Sequence, residues 1–319
     1  MRTIVVGTRQ SALAMTQTLQ VIEHLKEISR RDGIECEFTV RKILTKGDQI
    51  LDVTLSKVGG KGLFVKEIEQ ALLDGEIDMA VHSMKDMPAE LPEGLVIGAV
   101  PKREDPRDCL ISREGYTKLE ELPQGAKVGT SSLRRASQLK HQRPDLQIES
   151  IRGNIDTRIR KLEEEGFDAI LLAAAGLHRM GWKDRITAYL PADVCIPAVG
   201  QGALGIECRG ADSFMLELLG KYTDNETKLC VTAERSYLRT LQGGCQVPIG
   251  AYARLEPAGE GDNTAPLLTL TGIVGSAVSG ELLRETVTGS EPERIGDKLA
   301  QSMIALGADR MLAEVAAQP

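Results

Sequence analysis

Two stretches decide the fold: Thr3-Ile4-Val5-Val6-Gly7-Thr8-Arg9-Gln10-Ser11 and Lys127-Val128-Gly129-Thr130-Ser131-Ser132-Leu133-Arg134-Arg135. Each is a short apolar run that closes on Gly-Thr and meets a serine able to cap a helix, the pattern of a strand-to-helix turn. Each also has a later partner. Gly75-Glu76-Ile77-Asp78 opens one apolar run, and Gly166-Phe167-Asp168 opens another at Ala169–Ala173. The interval between glycines is longer in the first copy (Gly7 to Gly75) than in the second (Gly129 to Gly166), so the first copy carries an insertion. Two similar α/β lobes are the expectation.

Working outward, Ala12, Met15, Leu19 and Ile22 recur at helical spacing and predict the buried face of a helix after Ser11. Cys36, Phe38 and Val40 alternate with polar residues as in a half-exposed strand. Residues 45–62 are polar and glycine-rich, the composition of a functional loop rather than of packing. Val65, Ile68 and Leu72 mark a second helix stopped by Gly75, and residues 77–81 a buried strand leading into His82-Ser83-Met84-Lys85-Asp86. After Gly202 the pattern changes. Asp224 can cap a helix reaching Leu241, and strand-like segments at 249–255, 267–274 and 281–287 precede closing helical segments. That order predicts a smaller C-terminal α+β domain with an antiparallel sheet. The division expected is 1–100 with 200–221, then 101–199, then 222–319.

Composition sets bounds. At 319 residues, the prior of about 150 per domain allows two or three. The longest strongly apolar run, Ala169 to Leu177, falls well short of the roughly 20 residues that span a membrane. The N-terminus reaches glycine too early for a signal peptide, so a soluble cytoplasmic protein is expected. A net charge of −7, with only four Phe, five Tyr and one Trp, argues against nucleic acid as a partner. The six cysteines form no C-x-x-C pair and the four histidines are scattered, so no metal is expected and free thiols are the default.

The residues able to carry chemistry gather at turns. Thr8, Arg9 and Ser11 lie at one strand-to-helix turn, and Thr130, Ser131, Ser132, Arg134 and Arg135 at the other. Helix N-termini, hydroxyls and guanidinium forks are donors suited to carboxylate or phosphate. Arg152 and Arg158 flank Gly153-Asn154, Arg179 follows the second apolar strand, Lys57 and Lys61 lie in the glycine-rich loop, and Lys85 adjoins Asp86. Taken singly these are caps and surface cations; together they point to an anion with several charges. The glycine loop lacks the G-x-x-x-x-G-K-[ST] of a nucleotide site. Asp86, past the end of a buried strand, is the best candidate acid or base. His82 reads as a packed histidine. Cys245, between glycines and a proline, is the one loop-displayed thiol and suits a nucleophile or an attachment point.

The strings GTRQS (7–11), KVGGKGLF (57–64), HSMKDMP (82–88), GTSSLRR (129–135), RGN (152–154), AVGQG (198–202) and GGCQVP (243–248) together resemble the porphobilinogen deaminases, also called hydroxymethylbilane synthases. The resemblance implies two lobes like those of periplasmic binding proteins and a third domain, with a monomeric chain. It implies a dipyrromethane cofactor joined by a thioether to Cys245, and porphobilinogen as substrate. Four molecules would be joined head to tail with loss of ammonia, and a linear hydroxymethylbilane released by hydrolysis. Asp86 would help expel ammonia and stabilise the cationic azafulvene. Arg9, Ser11, Lys57, Lys61, Ser83, Lys85, Thr130, Ser131, Ser132, Arg134, Arg135, Arg152, Arg158, Arg179 and Gln201 would hold the carboxylates of cofactor and substrate. One departure is His178, where the family often has lysine. The rivals are a two-lobed anion-binding protein without chemistry and a thiol enzyme acting through Cys245.

Overall fold

A computed structural model describes residues 1–49, 64–243, 247–256, 267–276 and 279–316. Lys57, Lys61 and Cys245, with most of the glycine-rich loop, lie outside the described residues. The first sheet is built from β1 (Arg2–Arg9), β2 (Cys36–Ile43), β3 (Met79–Ser83), β4 (Leu95–Ala99) and the later β10 (Leu204–Arg209), in the order β2-β1-β3-β10-β4. The second contains β5 (Asp108–Ser112), β6 (Lys127–Gly129), β7 (Gln147–Glu149), β8 (Ala169–Ala173) and β9 (Ala188–Leu190), in the order β7-β6-β8-β5-β9.

The two sheets are copies. β1 runs parallel to β2 and β3, as β6 runs parallel to β7 and β8, and in each sheet the next two neighbours are antiparallel. Even the register repeats, Val6 opposite Met79 in one and Val128 opposite Ala169 in the other. The aspartate of each repeat has one job. Asp78 Oδ2 accepts from the Val5 N–H at 2.8 Å, and Asp168 Oδ2 from the Lys127 N–H at 2.8 Å. Each carboxylate ties the second strand of its sheet, β1 or β6, to the residue just before the third, β3 or β8, by satisfying a backbone donor. Gly7 and Gly129 also match: a Cβ on the first would collide with Ile77, and on the second would come within 3.2 Å of Phe167. The insertion expected in the first copy falls between β2 and the helix Lys66–Leu73.

The helix Ala12–Asp32 starts where predicted, with Ser11 Oγ accepting from the Ala14 N–H at 3.3 Å. Its buried face differs from the expected one. Ala14, Val21, Ile22, Leu25 and Ile28 face the sheet, while Leu19 is 49% exposed and Ala12 is also exposed. Two polar residues disguised the stripe: buried Thr18 donates to Thr8 Oγ1 and buried Gln17 to Ser83 Oγ, so their burial is compensated. The strand predicted at 77–81 is displaced to Met79–Ser83, because Ile77 and Asp78 are used in the turn against Gly7 and Val5. Val40 is exposed on the outer strand β2.

The third unit is a meander of β11 (Ile249–Leu255), β12 (Leu268–Gly275) and β13 (Leu282–Gly289), with helices Asn225–Thr240 and Pro292–Ala305 packed on it around fully buried Tyr237 and Leu299. Asp224 caps the first of these helices as expected, accepting from the Thr227 N–H at 2.8 Å. This unit fastens the passage between the lobes. Buried Glu234 accepts from Arg103 Nη1 at 2.6 Å and Nη2 at 3.1 Å, from the Gly200 N–H at 2.7 Å and from the Ala253 N–H at 2.9 Å. The outgoing chain at Arg103 and the returning chain at Gly200 therefore share one carboxylate. Among the described residues no helix is long and apolar enough to cross a membrane.

Candidate active site

Except for Gln201, which precedes β10, the singled-out residues in the described part of the two lobes sit at or beyond the carboxyl ends of the strands, where open α/β sheets place their ligands. In the first lobe, Arg9, Ser11, Gln17, Phe64, His82, Ser83 and Asp86 line a cavity of about 60 Å³. Asp86 ends a single turn, Met84–Asp86, that carries the chain out of β3. Arg9 is ion-paired with Asp48 and lies 4.2 Å over the Phe64 ring. Burial opposes ionisation of Asp48, yet Arg9 and Thr45 hold its carboxyl below the usual range.

The second lobe brings its cations to the same place. Ser132 caps the helix Leu133–Gln142, and Thr130 Oγ1 accepts from the Ser132 N–H at 3.2 Å. Ser131 donates to the Ile151 carbonyl at 2.6 Å. These hydroxyls shape the turn that points Arg134 and Arg135 inward. Arg158 Nε donates to the Gly153 carbonyl at 2.8 Å, leaving its two terminal nitrogens to reach further. Burial pushes the Lys85 ammonium down to about 8; Asp86 opposes that fall, and Arg135 and Arg134 add to it. Burial likewise lowers Arg158 to about 10, with Arg135 and Arg152 acting in the same direction and Asp86 against. Lys85 and Asp86 of one lobe thus share a field with Arg135, Arg152 and Arg158 of the other. Arg152 Nη1 is buried and meets no acceptor among the described residues.

Arg134 and Arg135 are not displayed as solvated or freely reaching cations. Both are turned onto Asp108, which is fully buried at the mouth of β5. Arg134 Nη1 donates to Asp108 Oδ2 at 2.7 Å and to the Ile196 carbonyl at 2.5 Å; Arg135 Nη2 donates to Asp108 Oδ1 at 2.7 Å. Gln201 Nε2 joins them at 2.8 Å, and the Cys195 thiol at 3.3 Å. Against burial, which acts the other way, the two arginines hold the Asp108 carboxyl far below the carboxylate range. Asp108 was missed in the sequence reading; the signal was a charged residue opening a strand, Asp108-Cys109-Leu110-Ile111-Ser112, whose members are all buried. Arg179 lies apart from this group. Its Nη2 donates to the Gly202 carbonyl at 2.7 Å, where Gly202 adopts φ +87° and a Cβ would strike the Glu104 carbonyl. His178, the departure from the family pattern, pairs with Glu104 at 2.9 Å and Tyr189 at 2.8 Å.

Comparison with known proteins gives the arrangement its family. Residues 4–217 match the model of the porphobilinogen deaminase dipyrromethane cofactor-binding domain, and residues 228–305 that of the porphobilinogen deaminase C-terminal domain. The chain belongs to the porphobilinogen deaminase family. Porphobilinogen deaminase of Paenibacillus macerans is 62% identical over 323 residues, 96% of this chain and 98% of its own. That of Bacillus subtilis is 57% identical over 316 residues, 99% of this chain and 97% of its own. Among solved structures, a YaeC-family lipoprotein of Enterococcus faecalis superposes with a TM-score of 0.41 at 16% identity, over 70% of this chain and 93% of its own. The residues present fit the family's dipyrromethane. Mutually repelling Arg135, Arg152 and Arg158, and a buried Arg152 Nη1 with no acceptor among the described residues, are relieved by a ligand bearing several carboxylates.

Proposed function

We propose that the protein joins four porphobilinogen molecules head to tail, with loss of ammonia at each addition, on a dipyrromethane primer held through Cys245, and then releases hydroxymethylbilane by hydrolysis. The observation that carries this reading is Asp86 set in the field of Lys85 and Arg158, which Arg135 and Arg152 crowd in turn, with Arg152 Nη1 meeting no acceptor among the described residues. The dipyrromethane, when bound, supplies the free pyrrole carbon from which the chain grows.

The protein's part is electrostatic and positional. The Asp86 carboxylate accepts from the N–H groups of the arriving porphobilinogen and faces the cation left as ammonia departs. A fixed anion beside a developing cation needs no reorganisation at the moment of reaction. Proton transfer through the same carboxyl contributes about 10²–10⁴-fold. Lys85, Arg135, Arg152 and Arg158 meet the acetate and propionate groups, whose number rises with each addition. Arg9, Ser11 and Ser83, which line the cavity beside Asp86, hold the incoming monomer. Arg134 and Gln201 act through Asp108, by orienting Arg135. Thr130, Ser131 and Ser132 shape the turn and offer donors at its rim; Arg179 reaches the chain only as it lengthens. Lys57 and Lys61 belong to the glycine-rich loop and lie outside the described residues, as Cys245 does.

The division into 1–100 with 200–221, 101–199 and 222–319 is part of the proposal, supported by each sheet closing within one of those spans. So are a monomeric state and a cytoplasmic location, which accord with a small-molecule substrate. The test is the intact mass of the denatured protein beside Cys245→Ser. The expected result is an excess of two pyrrole units in the parent alone. A parent at its bare sequence mass that gains nothing on incubation with porphobilinogen overturns the reading.

A further inference from the structure

Three titratable side chains that the proposed chemistry leaves unused are buried under the first sheet. Met79, Val81 and Ile206 pack with helix Ala12–Asp32, whereas Ala80 packs with helix Lys66–Leu73. By strand alternation, His82 and Glu207 lie on the second of these faces, in a register that sets Ala80 opposite Glu207 and His82 opposite Gly205. His82 Nε2 is 3.0 Å from Glu207 Oε2. Glu69 arrives from helix Lys66–Leu73. Glu207 is 0%, His82 5% and Glu69 6% exposed. Glu69 Oε1 and Glu207 Oε1 accept no hydrogen bond among the described residues.

Two other charges face the group: Lys66, on the helix of Glu69, and Arg235 of helix Asn225–Thr240, which is in the field of Glu207. Arg235 Nη2 also donates to the Pro88 and Ala89 carbonyls, at 2.8 Å and 3.1 Å. The segment carrying Asp86 is therefore held at both ends, by His82 on Glu207 before it and by Arg235 after it. His82 and Ser83 line the same cavity as Asp86. Two carboxylates in one interior site resist ionising together, and one retained proton resolves the conflict. Burial, then the Glu207 charge, push the Glu69 carboxyl up to about 7, with His82 opposing.

We propose that Glu69, His82 and Glu207 are positioning residues that hold a proton between them and, by anchoring His82, set the strand end from which Asp86 projects. The proposal rests on Asp86 having the role given above. Losing the proton puts a second anion under β3 and loosens that anchor. The linkage sign follows from a raised carboxyl: the folded chain keeps a proton that the unfolded chain gives up. The group's share of stability is thus lost as pH rises from 4.5, the ordinary value, to about 7.

The experiment compares the parent with Glu69→Gln, which imitates the protonated carboxyl in shape, and with Glu207→Gln. Thermal unfolding is followed from about pH 5 to about pH 8 without substrate, and porphobilinogen consumption by the cofactor-loaded protein from about pH 6 to about pH 9. The melting temperature of Glu69→Gln is expected to fall less with pH than the parent's. The parent's kcat is expected to decline as pH rises through about 7 and that of Glu69→Gln is not, with KM unchanged in both. Glu207→Gln is expected to lower kcat about tenfold with KM within about twofold. Superimposable melting and kcat profiles for the parent and Glu69→Gln overturn the shared proton. A difference in melting with identical kcat profiles overturns the positioning role. A parent that consumes no porphobilinogen overturns the enzyme reading instead, and the substrate-free melts then decide the shared proton by themselves.

Discussion

Replacing Asp108 with asparagine keeps the shape of the buried hub and removes its charge. In the parent, Asp108 is fully buried and receives donors from Arg134, Arg135, Gln201 and Cys195. The variant leaves two buried guanidinium groups facing a neutral amide, itself presenting hydrogens to them. Removing one partner of a buried ion pair costs about 3–5 kcal/mol, a large part of the about 5–15 kcal/mol that typically holds a domain together. The cluster joins the turn after β6 to β5 and to the Ile196 carbonyl, so the loss falls on the second lobe. Urea unfolding followed by the fluorescence of Trp182, the one tryptophan, which is partly buried against that lobe's core, reports it directly. The pH dependence gives a second check. A depressed carboxyl contributes stability that is present above the unfolded value near 3.8 and is lost as pH falls through the folded one. The gap between parent and variant should therefore hold at neutral pH and narrow below about pH 4. Dipyrromethane loading, read by intact mass, should also drop, because Arg135 loses its orientation. An Asp108→Asn protein with the parent's urea midpoint and full loading would refute the hub argument.

Asp86→Asn should retain the fold and the added mass of the cofactor while losing at least about 10²-fold in ammonia release, since both charge and proton transfer go together; ammonia release within a few-fold of the parent would remove Asp86 from the reaction. Arg152→Leu should leave the melting temperature near the parent's, because its buried Nη1 has no acceptor among the described residues to lose, but should impair loading or slow the later additions. Normal loading with normal elongation in that variant would mean the ligand carboxylates are met elsewhere.

Much of the architecture was legible in the sequence because short-range rules govern it. Ser11 and Asp224 as caps, and Gly75 as a stop, act within a few residues of their own position. The repeat was legible for the same reason: Gly7 and Gly129, Asp78 and Asp168 keep their local roles in both lobes. The buried face of helix Ala12–Asp32 was misread because burial of Gln17 and Thr18 depends on partners, Ser83 on β3 and Thr8 on β1.

Residue types and their turns were thus set by the chain itself: an aspartate beyond one strand, arginines beyond others, a cysteine between glycine and proline. Which arginine is anchored on a buried carboxylate and which keeps a nitrogen to spare was decided only in three dimensions. Arg134 and Arg135 are neighbours in sequence with Asp108 far upstream, and nothing local distinguishes them from Arg152 and Arg158. The fold brings Asp108 under the first pair and leaves Arg152 Nη1 with no acceptor among the described residues. Charges act through space at a range set by burial and separation, so a spacing along the chain can name the ions but cannot pair them.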